Sequence, residues 1–377
     1  MDRLADVTPF IVMDIVKKAN QMDDAIHFEV GQPDITPSEK VINAMAEAVY
    51  KRNFPYTESM GILALRQKIS GHYKRKYGID VSPERILLTT GTSGAFLIAY
   101  SIAMNAGEKL AFSDPGYPCY KNFAHILDII TETVDVNADT DYQITPDLLK
   151  QKHDIKAVQI SSPANPTGNI YSKSNILNMI NYCKTNNITL ISDEIYHGLV
   201  YSDTKENSAL EFSDDVIVIN GFSKYFCLPG ARLGWMILPE KYIRRAEIVM
   251  QNLFIAAPAI SQYGAMEAFD YNFLEQYKNE YKKRRDFLYN ELKDIFRIDT
   301  APVGAFYIWA DISEYSNDCY AFAEELLENT GVAVTPGTDF GKNNTNNYIR
   351  FAYTRNIEHM NEGVKRIKDY LKNSLLG

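Results

Sequence analysis

Two cations eight residues apart, Lys224 and Arg232, carry the densest chemistry in this sequence. The β-branched run Val216-Ile-Val-Ile219 predicts a buried strand, and Gly221-Phe-Ser turns the backbone so that Lys224 leaves the strand end facing a cleft. Arg232 opens a second apolar run, Leu233-Gly-Trp-Met-Ile-Leu238, so the Cys-Leu-Pro-Gly loop between them is predicted to fold back and bring amine and guanidinium together. A neighbouring cation and partial desolvation both depress an amine's pKa, which makes a lysine a nucleophile for Schiff-base chemistry. A phosphate would satisfy the arginine. A solvated lysine in an ordinary loop is the plain alternative, and the apolar flanks and the serine, glycine and arginine spacing stand against it.

Further candidates lie at the ends of apolar runs. Ile86-Leu-Leu-Thr-Thr90 reads as a strand, followed by Gly91-Thr-Ser-Gly94 and an apolar helix from about Ala95 to Ala103. Strand, glycine turn and helix N-terminus make an anion site, because free backbone N–H groups and the helix dipole converge there; Thr92, Ser93 and Gly94 are its candidates. Asp193 ends the apolar run from Thr189, where a carboxylate needs a cation or N–H partner, and Tyr196 follows three residues on. Asn165 comes after the strand Ala157-Val-Gln-Ile160, at the edge where open α/β sheets bind ligands. Arg350 lies within the apolar stretch Asn347-Tyr-Ile-Arg-Phe-Ala-Tyr353, and its planar guanidinium suits a carboxylate bidentately. Gly31 follows the strand-like run from Ile26 and either lets the backbone approach a ligand or serves a simple Gln-Pro-Asp turn. Tyr56 and Tyr117 read by themselves as half-buried loop packing and as an aromatic capping a Pro-Gly turn.

The elements that must hold these residues alternate between strand and helix from about residue 86 to 238, which predicts a mainly parallel sheet with crossover helices. Helices are expected near residues 38–52 and 62–77, and the acidic stretch 202–215 reads as a solvated loop. The charged helical stretch Glu275 to Phe296 is long enough to link two domains. Ala301 to Trp309, Val332 to Gly337 and Asn347 to Tyr353 read as strands of a smaller α+β domain, with helices near 319–329 and 356–374. The organisation expected is an N-terminal segment (1–40), a large α/β domain (41–280) and a small C-terminal domain (281–377).

Composition narrows the partners. With 377 residues and 46% hydrophobic content the chain can bury a large core. A net charge of −9 without a basic tract argues against nucleic acid and anionic membranes. The four cysteines are far apart and the six histidines form no ligand cluster, so a reduced compartment and no metal site are expected. The start of the chain lacks a signal-peptide pattern and no apolar run is long enough to span a bilayer, which points to a cytoplasmic protein.

The stretch Gly221-Phe-Ser-Lys-Tyr-Phe-Cys-Leu-Pro-Gly-Ala-Arg-Leu-Gly234 resembles the lysine signature of the class I and II aminotransferases, fold-type I enzymes that use pyridoxal 5′-phosphate and include the aspartate aminotransferases. Cys227 departs from the usual residues at its position but is equally small. The resemblance covers nearly the whole chain with its motifs in family order. It implies a seven-stranded large-domain sheet, Lys224 as the Schiff-base lysine, and Ser223, Arg232 and the Thr92–Gly94 turn as holders of the cofactor phosphate. It further implies Tyr117 stacked on the pyridine ring, Asp193 paired with the ring nitrogen, and Asn165 and Tyr196 on the phenolic oxygen. Gly31, Asn165 and Arg350 would bind substrate, with Arg350 as the α-carboxylate anchor. The segment from Thr8 would lie over the site mouth, where Ile11 or Met13 could touch substrate. Tyr56 matches the tyrosine that crosses a dimer interface to the other protomer's phosphate, so a homodimer with shared sites is expected.

The activity this implies is ping-pong transfer of an amino group from an L-amino acid to a 2-oxo acid such as 2-oxoglutarate. The sequence ordering puts aspartate first, with aromatic and aliphatic donors close behind. A carbon–sulfur β-lyase uses the same constellation and stays open as an alternative, as fold alone does not choose the reaction. A non-catalytic cofactor-sensing regulator is the remote alternative, disfavoured because such proteins carry a separate DNA-binding domain and this chain shows no basic patch.

Overall fold

The computed structural model describes residues 4–374, and in it the buried apolar runs assemble into two main sheets. The N-terminal part contributes β1 (Ile26–His27), and the large sheet is built from β2 (Ile86–Thr90), β3 (Lys109–Asp114), β4 (Ile130–Asp135), β5 (Ile155–Ser161), β6 (Thr189–Asp193), β7 (Val216–Gly221) and β8 (Leu233–Ile237). Its order is β2-β8-β7-β6-β5-β3-β4. Only β8 runs against its neighbours β2 and β7; the remaining pairs are parallel. Helices cover both faces, which is why β7 and β8 are buried at every position and read as continuous apolar runs instead of alternating ones. Register places Ser161 beside Asp193 and Asp193 beside Ile219, so the carboxyl ends of β5, β6 and β7 form one edge.

The helices before and after β2 are α1 (Val12–Ala19), α2 (Glu39–Tyr50), α3 (Leu63–Tyr77) and α4 (Gly91–Ala103). The last begins at Gly91, four residues earlier than the sequence suggests, with no loop after β2. Gly91 makes that abrupt turn at a φ of +66°, and a Cβ there would come 2.6 Å from Nη2 of Arg232. Thr92, Ser93 and Gly94 therefore occupy the first helical turn.

The smaller sheet joins β9 (Tyr307–Asp311), β11 (Thr335–Pro336) and β12 (Tyr348–Ala352) in the order β11-β12-β9, all antiparallel, while β10 (Val332–Ala333) pairs in parallel with β1. The stretch 332–337 is thus two short strands with different partners, not one. The strand expected from Ala301 begins only at Tyr307, because Gly304 is engaged in a bridge to Val200 across the molecule.

The stretch 202–215 corrects the solvated-loop reading. Asn207, Ser208, Ala209 and Leu210 are buried, and Glu206 accepts the Gly198 N–H at 2.7 Å and pairs with Lys76 at 2.7 Å. Its two ends, around Asp203 to Lys205 and at Asp214 and Asp215, are exposed, while its middle packs inward, a division that composition alone does not reveal. Among the described residues no helix is long and apolar enough to cross a membrane.

Candidate active site

A cavity of about 290 Å³ opens at the carboxyl edge of the large sheet, where the small sheet and the N-terminal segment close over it. Eight of the residues singled out from sequence line it: Gly31, Thr92, Tyr117, Asn165, Asp193, Tyr196, Lys224 and Arg350. The β-strands explain the convergence, since Asp193 ends β6, Asn165 follows β5, and Lys224 follows β7 within three residues.

Lys224 donates from Nζ to the carbonyl of Gly31 at 2.7 Å. Burial, then the facing guanidinium groups of Arg350 and Arg232, bring its ammonium down to about 8, against an opposing pull from Asp193. Asp193 is 3% exposed. Its carboxylate accepts the Tyr120 hydroxyl at 2.5 Å and the Ile195 N–H at 3.1 Å; burial dominates and pushes it up to about 6. Such a carboxylate is poised to hold a cationic N–H.

Arg350 donates from Nη1 to Asn165 Oδ1 at 2.9 Å and from Nη2 to the Glu29 carbonyl at 2.8 Å and Thr335 Oγ1 at 3.2 Å. Its plane lies 4.2 Å from the Tyr307 ring and 4.8 Å from that of Phe340, while Nε is buried without a hydrogen-bond partner. Its hydrogen bonds all go to neutral groups and Asp339 acts on it only through space, so the guanidinium can still take the carboxylate hydrogen bonds that an anchor requires.

The Tyr196 hydroxyl lies 2.7 Å from that of Tyr307. Tyr307 also explains Gly31, since any Cβ there would overlap its hydroxyl. On the floor of the site, Arg232 bonds the Pro229 carbonyl at 3.0 Å and packs against Gly91 at the start of α4, with buried Ser223 just before Lys224. Arg232 thus stands at the α4 N-terminus that contains Ser93 and Gly94, and none of Ser93, Gly94, Ser223 and Arg232 lines the main cavity. The residues present fit a pyridoxal phosphate group: an uncrowded helix N-terminus beside an arginine, a buried strand-end carboxylate and a desolvated amine.

Two expectations divide. Met13 lines the cavity, whereas Ile11 does not; its N–H is held by the Asp339 carboxylate at 2.9 Å. Tyr56 is 77% exposed and lies outside the cavity. Sequence reasoning missed Tyr120, Tyr307, Glu29 and Asp339. Tyr120, one helical turn beyond Tyr117, was the most findable of these.

The model of the aminotransferase class I and II family matches residues 23–367. Valine–pyruvate aminotransferase of Mycobacterium tuberculosis is 34% identical over 377 residues, with 97% of each chain covered. Aspartate aminotransferase of Sulfurisphaera tokodaii is 30% identical over 359 residues, covering 92% of this chain and 90% of the other. The crystal structure of an aminotransferase from Mycobacterium tuberculosis superimposes with a TM-score of 0.95 at 34% identity, covering 99% of both chains. With the lysine, the strand-end aspartate and the buried arginine gathered at one sheet edge, this chain belongs to the class I and II aminotransferases.

Proposed function

We propose that this aminotransferase works with pyridoxal 5′-phosphate and transfers the amino group of an L-amino acid with an uncharged side chain to a 2-oxo acid, in ping-pong order. The observation that carries the reading is the hold on two cations by one short stretch of backbone: Lys224 on the Gly31 carbonyl and Arg350 on the Glu29 carbonyl. Two residues of chain thus set the span between an amine and a carboxylate anchor.

The first-turn N–H groups at Thr92, Ser93 and Gly94, with Ser223 and Arg232, would hold the cofactor phosphate. Tyr117 would face its ring, Asp193 its ring nitrogen, and Asn165 and Tyr196 its phenolic oxygen. When bound, the cofactor supplies an aldehyde for the amino group and a ring that takes up the electron pair left at Cα. Arg350 holds the α-carboxylate and orients the Cα–H toward Lys224, whose neutral Nζ takes the proton and would deliver it to the former aldehyde carbon of the cofactor. The apolar side chains of Phe10, Val12 and Met13 exclude water from that transfer.

Among the described residues that line the cavity the only cations are Lys224 and Arg350, and both have roles. The rest of the wall includes Phe10, Val12, Val16, Phe96 and Phe340, which favours branched or aromatic side chains over a second carboxylate. Aspartate, first in the ordering from sequence, accordingly ranks behind valine, leucine and phenylalanine; relatives named for valine and for aspartate both exist. We take residues 41–280 as the cofactor-binding domain, and 281–377 with the N-terminal segment as its cap. We take the active form to be a homodimer in which exposed Tyr56 reaches the neighbouring site.

Single-turnover rates for valine, leucine, phenylalanine, methionine and aspartate, followed by cofactor absorbance, test the substrate class. Valine, leucine or phenylalanine is expected to lead. Aspartate as the fastest donor would overturn that ranking, and pyruvate with ammonia released from cystathionine would make the protein a β-lyase.

A further inference from the structure

A second, more polar cavity of about 590 Å³ adjoins the first. Tyr117, Pro118, Asp339 and Phe340 line both and form the partition between them. Beyond that partition stand Lys121 and Lys342, cations that a distal substrate carboxylate could seek. Asp339 is 5% exposed. Its two oxygens accept the N–H groups of Ile11 at 2.9 Å and Val12 at 3.3 Å, the residues that start α1. The side chains that follow, Val12, Met13 and Val16, are the apolar wall of the active-site cavity. Burial pushes the Asp339 carboxyl up, while these two amides, Arg350 and Lys121 all favour its charged form.

We propose that Asp339 is a specificity-determining residue that rejects dicarboxylic substrates, by pinning the apolar start of α1 over the cavity and by placing a negative charge between the cavity and Lys121. The inference rests on the reading of Arg350 as the α-carboxylate anchor. A second carboxylate on a substrate held there faces Asp339, which lines both cavities, on the way to Lys121 and Lys342, which line only the second, and like charges in a partly desolvated site repel. Removing the charge makes the partition itself neutral, with Lys121 and Lys342 still balanced by Asp6, Asp114 and Asp135 in the cavity beyond, so a second carboxylate should be repelled less there.

The test compares wild type with Asp339→Asn, a near-isostere whose side-chain oxygen can still accept one of the two N–H bonds. Isothermal titration of each holoenzyme with two unreactive carboxylates, glutarate and 3-methylbutanoate, reads the effect without turnover. Glutarate is expected to bind about tenfold more tightly to the variant, with 3-methylbutanoate unchanged or weaker. The kcat/KM ratio of phenylalanine to aspartate should fall about tenfold, mostly through KM. Asp339→Glu, which keeps the charge, should retain wild-type selectivity, and Asp339→Ser serves as the neutral variant if the Asn form does not fold. Equal glutarate affinities in wild type and a folded neutral variant would overturn the proposal while leaving the aminotransferase reading intact. Failure of every donor in the wild type, with glutarate still discriminated by Asp339, would instead sink the activity reading alone.

Discussion

An amine enclosed by protein and faced by two guanidinium groups gives up its proton more readily than one in water. For Lys224 burial, Arg350 and Arg232 combine to bring the value down to about 8 from 10.5. Only the neutral amine attacks an aldehyde. Loading of pyridoxal phosphate onto the apoprotein should therefore quicken as pH rises, with a midpoint near 8, and level off above it. Borohydride reduction at timed intervals, followed by peptide mapping, measures this on Lys224 itself. A midpoint near that of an ordinary lysine would mean that neither burial nor the neighbouring cations act on it. Asp193 works in the other sense: burial lifts it to about 6, and a cationic N–H beside it would return it to the charged form.

At the scale of elements, the turn after β6 that carries Asp193 and Tyr196 rests on a buried polar layer. His197 Nδ1 lies 2.7 Å from the Tyr77 hydroxyl and 3.3 Å from Glu194, whose carboxylate also accepts the Ser208 hydroxyl at 2.9 Å. Burial by itself would raise Glu206, yet Lys76, His197 and the Gly198 amide hold it down to about 2. A carboxyl depressed on folding stabilises the fold above its unfolded value, near 4.5, and that contribution fades as pH falls toward 2. Glu206→Gln is expected to cost about 3 kcal/mol at pH 7, because it strands Lys76 with a neutral partner. Denaturant unfolding of both proteins should show the gap closing between pH 4 and pH 2, and a gap constant with pH would assign the loss to packing. This layer was hidden from sequence reasoning because the polar run 202–215 resembles any solvated loop, and only the fold brings it against α3. Lys224, Asp193 and Arg350 were legible for the opposite reason: each ends or interrupts an apolar run, where a charge has to be explained. Tyr120, Tyr307 and Asp339 gave no such signal, since their partners Asp193, Tyr196 and Ile11 lie 73, 111 and 328 residues away.

For the whole molecule the proposed homodimer makes each site the work of two chains. Tyr56 is 77% exposed, and neighbouring residues Tyr50 and Phe54 are exposed at 86% and 64%, a set that a second protomer would cover. If Tyr56 acts across that interface, Lys224→Ala and Tyr56→Ala proteins complement each other, since each mixed dimer rebuilds one intact site. Equal mixing after dissociation should restore about a quarter of wild-type sites. Sedimentation and activity on the same sample decide it, and a mixture no more active than its parts would place Tyr56 outside the site.

The two ends of the chain also meet at this site. β1 finds its parallel partner only in β10, and the Glu29 carbonyl receives Arg350 from 321 residues downstream. During synthesis the large sheet is complete in sequence at Ile237, with Lys224 already made, while the residues that finish the cavity are still to come. At ordinary elongation rates that interval lasts on the order of ten seconds. For that time Lys224 stands without Arg350, and Gly31, though already made, lacks the β10 partner that fixes β1 just before it. The reactive lysine and Arg232 are thus made well before Arg350, so the full depression of the Lys224 pKa is expected only once the carboxyl-terminal strands have arrived.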